Sequence, residues 1–282
     1  MAKSKLQATL YNVLDSKAAY GESRHLAKLD GSDKEKIFSY GTMKKYKQIA
    51  KDFSKFCDSN NPGLRRRKDV IKYIDPFLQS LKDRDCSAWT QQTARSALTK
   101  IFDKDYSTIK LDMKERRMII RSRLDTPNAR HFSEAKNADL VNFCQNTGLR
   151  RSELESLRPK QLFKKGDQYI LQVKGKGGKI RDVMILNNDA RVIEKILNTP
   201  KGELVWGRVH SAANIHGYRG DYAKRLYEKY ARPITSLKAS EIYSCRKELA
   251  GVKYDKKAMR IVSNNLGHNR IDVIATNYLY SI

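Results

Sequence analysis

Residues 146–154 read Asn146-Thr147-Gly148-Leu149-Arg150-Arg151-Ser152-Glu153-Leu154. The run before Gly148, with Ala138, Leu140, Val141, Phe143 and Cys144, repeats at helical spacing, and Ser133 is a candidate N-cap for it. Gly148 should stop that helix, because glycine enters the left-handed conformation of a helix end at little cost. A new helix is expected to begin at Arg151-Ser152-Glu153-Leu154. Arg150 therefore falls in a helix–helix turn with a carboxylate three residues on. An ordinary surface ion pair would give the same spacing.

Downstream, residues 169–173 and 180–186 read as short strands around Lys174-Gly175-Lys176-Gly177-Gly178-Lys179, a glycine-rich reversal suited to a β-hairpin. The loop lacks the GxxxxGK[ST] order of a nucleotide-binding loop. Helical patterns follow over residues 189–197, 218–231, 236–249 and 256–266, and from 272 onward. Upstream, Thr42 is a candidate N-cap before Met43, Tyr46, Ile49, Phe53 and Phe56, and Asn60-Asn61-Pro62-Gly63 breaks that helix. Val70, Ile74, Phe77, Leu78 and Leu81 mark a second helix, and Ala94, Ala97, Leu98 and Ile101 a third.

These patterns predict a mainly α chain with one small β-sheet. Residues 1–36 read as an N-terminal extension with a short helix carrying Leu6, Leu10, Val13 and Leu14. Residues 37–110 read as a helical domain, 111–132 as a charged linker and 133–282 as a second domain. No internal repeat appears.

The 282 residues carry 57 Lys and Arg against 31 Asp and Glu, a net charge of +26, with 40% apolar content. That apolar share can build cores, and no run is long enough to span a bilayer. The N-terminus lacks a secretory h-region. Cys57, Cys86, Cys144 and Cys245 stand far apart, which fits a reducing compartment and offers no zinc or redox motif. Basic residues run through the folded segments, from Lys44-Lys45 to Lys256-Lys257. Such a spread points to a polyanion gripped over a wide surface, most simply duplex nucleic acid; the rival readings are a solvated basic surface and an RNA-binding or ribosome-associated protein.

Taken in order from residue 146 to residue 278, several segments resemble the tyrosine recombinase (phage integrase) family. Residues 146–154 resemble its first arginine box. Val173 to Lys179 followed by Arg181 resembles its lysine hairpin, Ser244-Cys245-Arg246-Lys247 its second arginine box, and Leu266-Gly267-His268 its Leu-Gly-His segment. Tyr278 falls near the family's nucleophile. The resemblance implies a SAM-like helical core-binding domain joined to an α+β catalytic domain.

The resemblance also implies a chemistry. Tyr278 would attack phosphorus and form a 3′-phosphotyrosyl link, conserving the bond energy for rejoining. Its phenol starts from a reference pKa of about 10, so a positive field must favour the phenolate. Arg150 and Arg246 would hold the non-bridging oxygens, since guanidinium stays charged and pairs its N–H groups with phosphate. His268 would add a hydrogen bond, and Lys176, at the hairpin tip, would protonate the leaving 5′-oxygen, with Lys174 and Lys179 competing for that role. The scheme uses no cofactor and no metal.

Two positions depart from the family pattern. The second box normally opens with histidine three residues before its arginine, where this chain has Tyr243, as telomere resolvases can. Tyrosine can bond a phosphate oxygen but shuttles protons poorly near neutral pH. The interval from His268 to Tyr278 is one residue longer than usual, with Tyr280 as the competing phenol. Little chain follows Tyr278, so tail contacts between protomers should be small.

The implied function is site-specific recombination of duplex DNA by a homotetramer on two synapsed sites, with a DNA-bending accessory factor as a further partner. The setting would be integration or excision of a mobile element in the cytoplasm, associated with the nucleoid. Rival readings are chromosome dimer resolution, a hairpin-forming telomere-resolvase-like enzyme, and a non-catalytic DNA-binding protein of the same fold.

Overall fold

The computed structural model describes residues 4–115, 131–175, 178–268 and 270–279. The chain divides into two units, Met1–Ile119 and Ile120–Ile282. Most of the expected linker, residues 111–132, lies outside the described residues.

The first unit holds α1 (Lys5–Asp15), α2 (Arg24–Leu29), α3 (Tyr40–Asn60), α4 (Ile74–Asp83) and α5 (Ala88–Phe102). Ser4, Ser23, Ser39 and Ser87 cap α1, α2, α3 and α5, each hydroxyl accepting from the N–H three residues on. Each cap contributes about 1 kcal/mol. The cap of α3 is Ser39 rather than Thr42, whose N–H it binds, so α3 starts earlier than its apolar spacing predicts. A 3-10 segment, Arg67–Tyr73, precedes α4 within the stretch expected to be one helix.

Leu6, Leu10 and Leu14 of α1 are buried in the same core as Phe53, Phe77, Leu78 and Ile101. Phe53 meets Phe77 and Phe102 edge-on, with centroids 5.3 and 6.0 Å away. Burying each such side chain contributes about 1.5–3 kcal/mol.

The second unit runs α6 (Ala138–Thr147), α7 (Arg151–Leu154), β1 (Leu162–Lys165), β2 (Gln168–Lys174), β3 (Ile180–Met184), α8 (Ala190–Leu197) and α9 (Ile215–Tyr230). It continues with β4 (Ile242–Ser244), β5 (Lys253–Asp255), α10 (Lys256–Leu266) and α11 (Asp272–Asn277). Strands β1, β2 and β3 form an antiparallel sheet in that order, with Val173 opposite Arg181. Strand β1 escapes the sequence reading because Leu162-Phe163-Lys164-Lys165 does not alternate apolar with polar.

Residues 236–249 do not form the expected helix. Short 3-10 turns flank β4, which pairs with β5 with Tyr243 opposite Tyr254. Buried Asp255 holds this arrangement: its Oδ2 accepts from the Arg232 backbone N–H at 3.1 Å and Nε at 2.8 Å, and its Oδ1 from Nη2 at 2.9 Å. Tertiary pairing here overrides a weak local helix preference.

Phe143, Leu149, Leu154, Leu171, Tyr222 and Val262 lie in one core, so α6, α7, β2, α9 and α10 pack as a single body. No described helix is long and apolar enough to cross a membrane.

Candidate active site

Gly148 closes α6 with φ 57°, and a Cβ there would lie 2.3 Å from Cδ1 of the Tyr222 ring. Only glycine fits both the backbone and the space. The sharp exit makes Arg150 the N-cap residue of α7, with Glu153 reaching back to it. Glu153 Oε2 accepts from the Arg150 backbone N–H at 2.8 Å, and Oε1 from Arg150 Nη1 at 2.9 Å.

This pair is not the surface contact that spacing alone would suggest. Glu153 is 4% exposed, and Arg181 of β3 binds it through two N–H groups, Nη1 to Oε1 and Nη2 to Oε2, both at 2.8 Å. Burial pushes the Glu153 carboxyl up, but bonds from Arg181 and Arg150 outweigh it and hold the pKa at about 2.

The C-terminal end of α10 organises the cations. Its last carbonyls lack intrahelical partners and carry the negative end of the helix dipole. Leu266 O accepts from Arg150 Nη2 at 3.1 Å and from Arg219 Nη2, and Asn265 O accepts from Arg181 Nε at 2.8 Å. Gly267 ends the helix in the left-handed region, and His268 follows.

Arg219 comes from α9 and is 2% exposed. Its Nη1 binds Gly148 O, and its Nε donates to the Tyr278 hydroxyl at 3.3 Å. That phenol also lies 3.2 Å from His268 Nε2. His216, three residues before Arg219 on α9, places its ring edge-on to Tyr278 with centroids 5.8 Å apart. Burial, then Arg219, Arg150, Arg181 and His216, push the His268 pKa down to about 4. Its imidazole is therefore neutral at physiological pH.

Of the residues singled out from sequence, Arg150, His268 and Tyr278 come together here. Lys176 and Tyr280 lie outside the described residues. The base of the Lys176 hairpin does touch the cluster: Gly175 N–H donates to Lys179 O at 2.8 Å, and a Cβ on Gly175 would lie 2.9 Å from Arg181 Nη1.

Tyr243 and Arg246 are not brought to this cluster. Tyr243 lies in β4, and Arg246 is exposed in the following loop. Among the described residues no side-chain hydrogen bond, ion pair or ring contact joins either to Arg150, Glu153, His268 or Tyr278. Their hairpin feeds the N-terminal end of α10, whereas Leu266 to His268 sit at the other end of that 11-residue helix, about 16 Å along at 1.5 Å per residue.

Arg219 is a buried cation of the cluster that sequence reasoning missed. The signal was present, since His216 stands three residues before Arg219, the spacing expected of a second arginine box.

The chain shares its fold with solved structures of a site-specific recombinase. The XerH site-specific recombinase bound to palindromic difH substrate, a post-cleavage complex, matches with TM-score 0.54 at 15% identity, over 98% of this chain and 91% of that one. The pre-cleavage complex of XerH with difH substrate gives the same values, TM-score 0.54, 15% identity, and 98% and 91% coverage. At this identity the likeness establishes the fold. No protein-family model matches the chain, and no curated protein matches it.

Proposed function

We propose that this chain breaks and rejoins duplex DNA, with Tyr278 attacking a phosphodiester held by Arg150 and Arg219. The observation that carries this reading is the Tyr278 phenol, bonded at once to Arg219 Nε and within reach of His268 Nε2, in the cluster that holds Arg150. The Arg150 side chain remains 29% exposed, so N–H groups are left for an incoming phosphate.

The phenol accepts from Arg219, which directs its own proton toward His268. Neutral His268 takes that proton as the Tyr278 oxygen bonds to phosphorus. The bond to the 5′-oxygen breaks, and that oxygen leaves as a hydroxyl after taking a proton from Lys176. The developing negative charge on the non-bridging oxygens is met by Arg150 and Arg219. The reverse attack by a 5′-hydroxyl restores the diester and the free phenol.

The net charge of +26 supports a nucleic-acid substrate bound mainly through phosphates. The full reaction in this reading is strand exchange between two specific duplex sites by a homotetramer, as in integration or excision of a mobile element. Nicked duplexes selected for binding from a randomised pool test the chemistry, because the nick lets the leaving strand diffuse away. A protein–DNA adduct stable on a denaturing gel is expected. Tight binding without any adduct would mean that the fold serves binding alone.

A further inference from the structure

Arg181 has no part in the steps above, yet it is the most enclosed partner of Glu153. It is 8% exposed, both its terminal nitrogens bind the carboxylate, and its Nε binds Asn265 O. Two glycines press on it: a Cβ on Gly267 would lie 2.8 Å from its Cδ, and one on Gly175 2.9 Å from its Nη1. Arg181 therefore offers no open face to a ligand, unlike Arg150.

The charges explain why two arginines share one carboxylate. Glu153 fixes the plane of Arg150 through Nη1 and the backbone N–H. Alone, that contact would also cancel the charge Arg150 needs for an anion. With Arg181 paired to the same carboxylate through both terminal nitrogens, three guanidinium groups stand against one carboxylate, a surplus of two positive charges.

We propose that Arg181 is a positioning residue that neutralises Glu153, so that Glu153 orients Arg150 without quenching it toward a phosphate. The inference rests on the functional reading for its ligand, a phosphodiester, while its charge logic applies to any phosphate. Losing Arg181 leaves a buried carboxylate whose charge falls on Arg150. Losing Arg181 and Glu153 together returns the surplus to two.

Inorganic phosphate, titrated into the full chain at low salt and read by 31P line broadening, tests this without any need for turnover. R181M should bind phosphate about tenfold more weakly than wild type. In E153Q an amide oxygen still accepts from Arg150 but carries no charge. R181M/E153Q should therefore recover to within about twofold, and E153Q alone should bind at least as tightly as wild type. A purely structural role for Arg181 would give no recovery when a second contact is removed.

Should R181M fail to fold, the other two variants still decide: the double variant must match wild type, and E153Q must not weaken binding. Wild-type affinity in R181M, no recovery in the double variant, or weaker binding in E153Q overturns the proposal. On nicked duplex at saturating DNA, the rate constant for adduct formation should drop in R181M and recover in the double variant. A wild-type protein that binds phosphate but never forms an adduct would sink the catalytic reading and leave the phosphate result standing.

Discussion

The Tyr278 hydroxyl lies 3.2 Å from Nε2 of His268, although the two residues leave opposite ends of the segment that contains α11. The left-handed turn at Gly267 and the short length of α11 bring them back together. Ser263 fixes the near side, its hydroxyl donating to His268 O at 2.9 Å. Tyr254 fixes the far side, its buried hydroxyl donating to Leu279 O at 2.6 Å.

The enclosure of His268 gives a pH signature. Its pKa is about 4 in the folded chain, held down by burial and then by Arg219, Arg150, Arg181 and His216, against about 6.5 when unfolded. Between those values the unfolded chain binds more protons, so this group's contribution to stability falls as pH drops from about 6.5 toward 4 and levels off below. Urea midpoints measured across that interval should fall more steeply for wild type than for H268Q. Equal slopes would contradict the assignment.

Arg219 and Arg246 should respond oppositely to substitution. R219Q deprives Gly148 O and Leu266 O of buried donors, at about 2–5 kcal/mol, and should abolish the adduct. R246Q removes an exposed side chain and should change stability by less than about 0.5 kcal/mol and leave adduct formation on saturating DNA intact. Denaturant unfolding and gel assays on both variants check this. An adduct lost in R246Q but kept in R219Q would reverse the account of Arg219.

The turn that carries Arg150 was legible because its logic is local: Gly148 ends one helix and Glu153 sits three residues beyond Arg150. The same holds for the pairing of β2 with β3 and for α10, whose bounds the apolar spacing of residues 256–266 gave closely. Arg219 was not legible for two physical reasons. Its neighbours Tyr218, Tyr222 and Ala223 mark α9 as a core helix, a setting in which arginine is uncommon. In addition, residues 231–255, which hold β4 and β5, separate α9 from α10, so Arg246 lies nearer in sequence than Arg219 to Leu266-Gly267-His268. The burial of Glu153 beneath two guanidinium groups depends on contacts among α7, β3 and α10, which no local spacing reveals.

Gly148→Ala tests the turn that presents Arg150. The new methyl would enter the left-handed region and meet the Tyr222 ring, and the expected loss is about 2–4 kcal/mol. Urea denaturation measures it, and a loss below about 0.5 kcal/mol would show that the turn relaxes freely.

Tyr254→Phe removes the hydroxyl that holds Leu279 O, the carbonyl of the residue after Tyr278. Stability should fall by about 1–2 kcal/mol. Adduct formation should slow more than DNA binding weakens, because the change reaches Tyr278 and leaves basic surface residues untouched. Single-turnover rates beside equilibrium binding separate the two effects.

Proteolysis of the trapped adduct, followed by mass spectrometry, reads out the covalent link directly. The account predicts one peptide carrying a nucleotide 3′-phosphate on Tyr278, absent in Y278F and retained in Y280F. A nucleotide on Tyr280 instead, or an adduct that survives in Y278F, would contradict it.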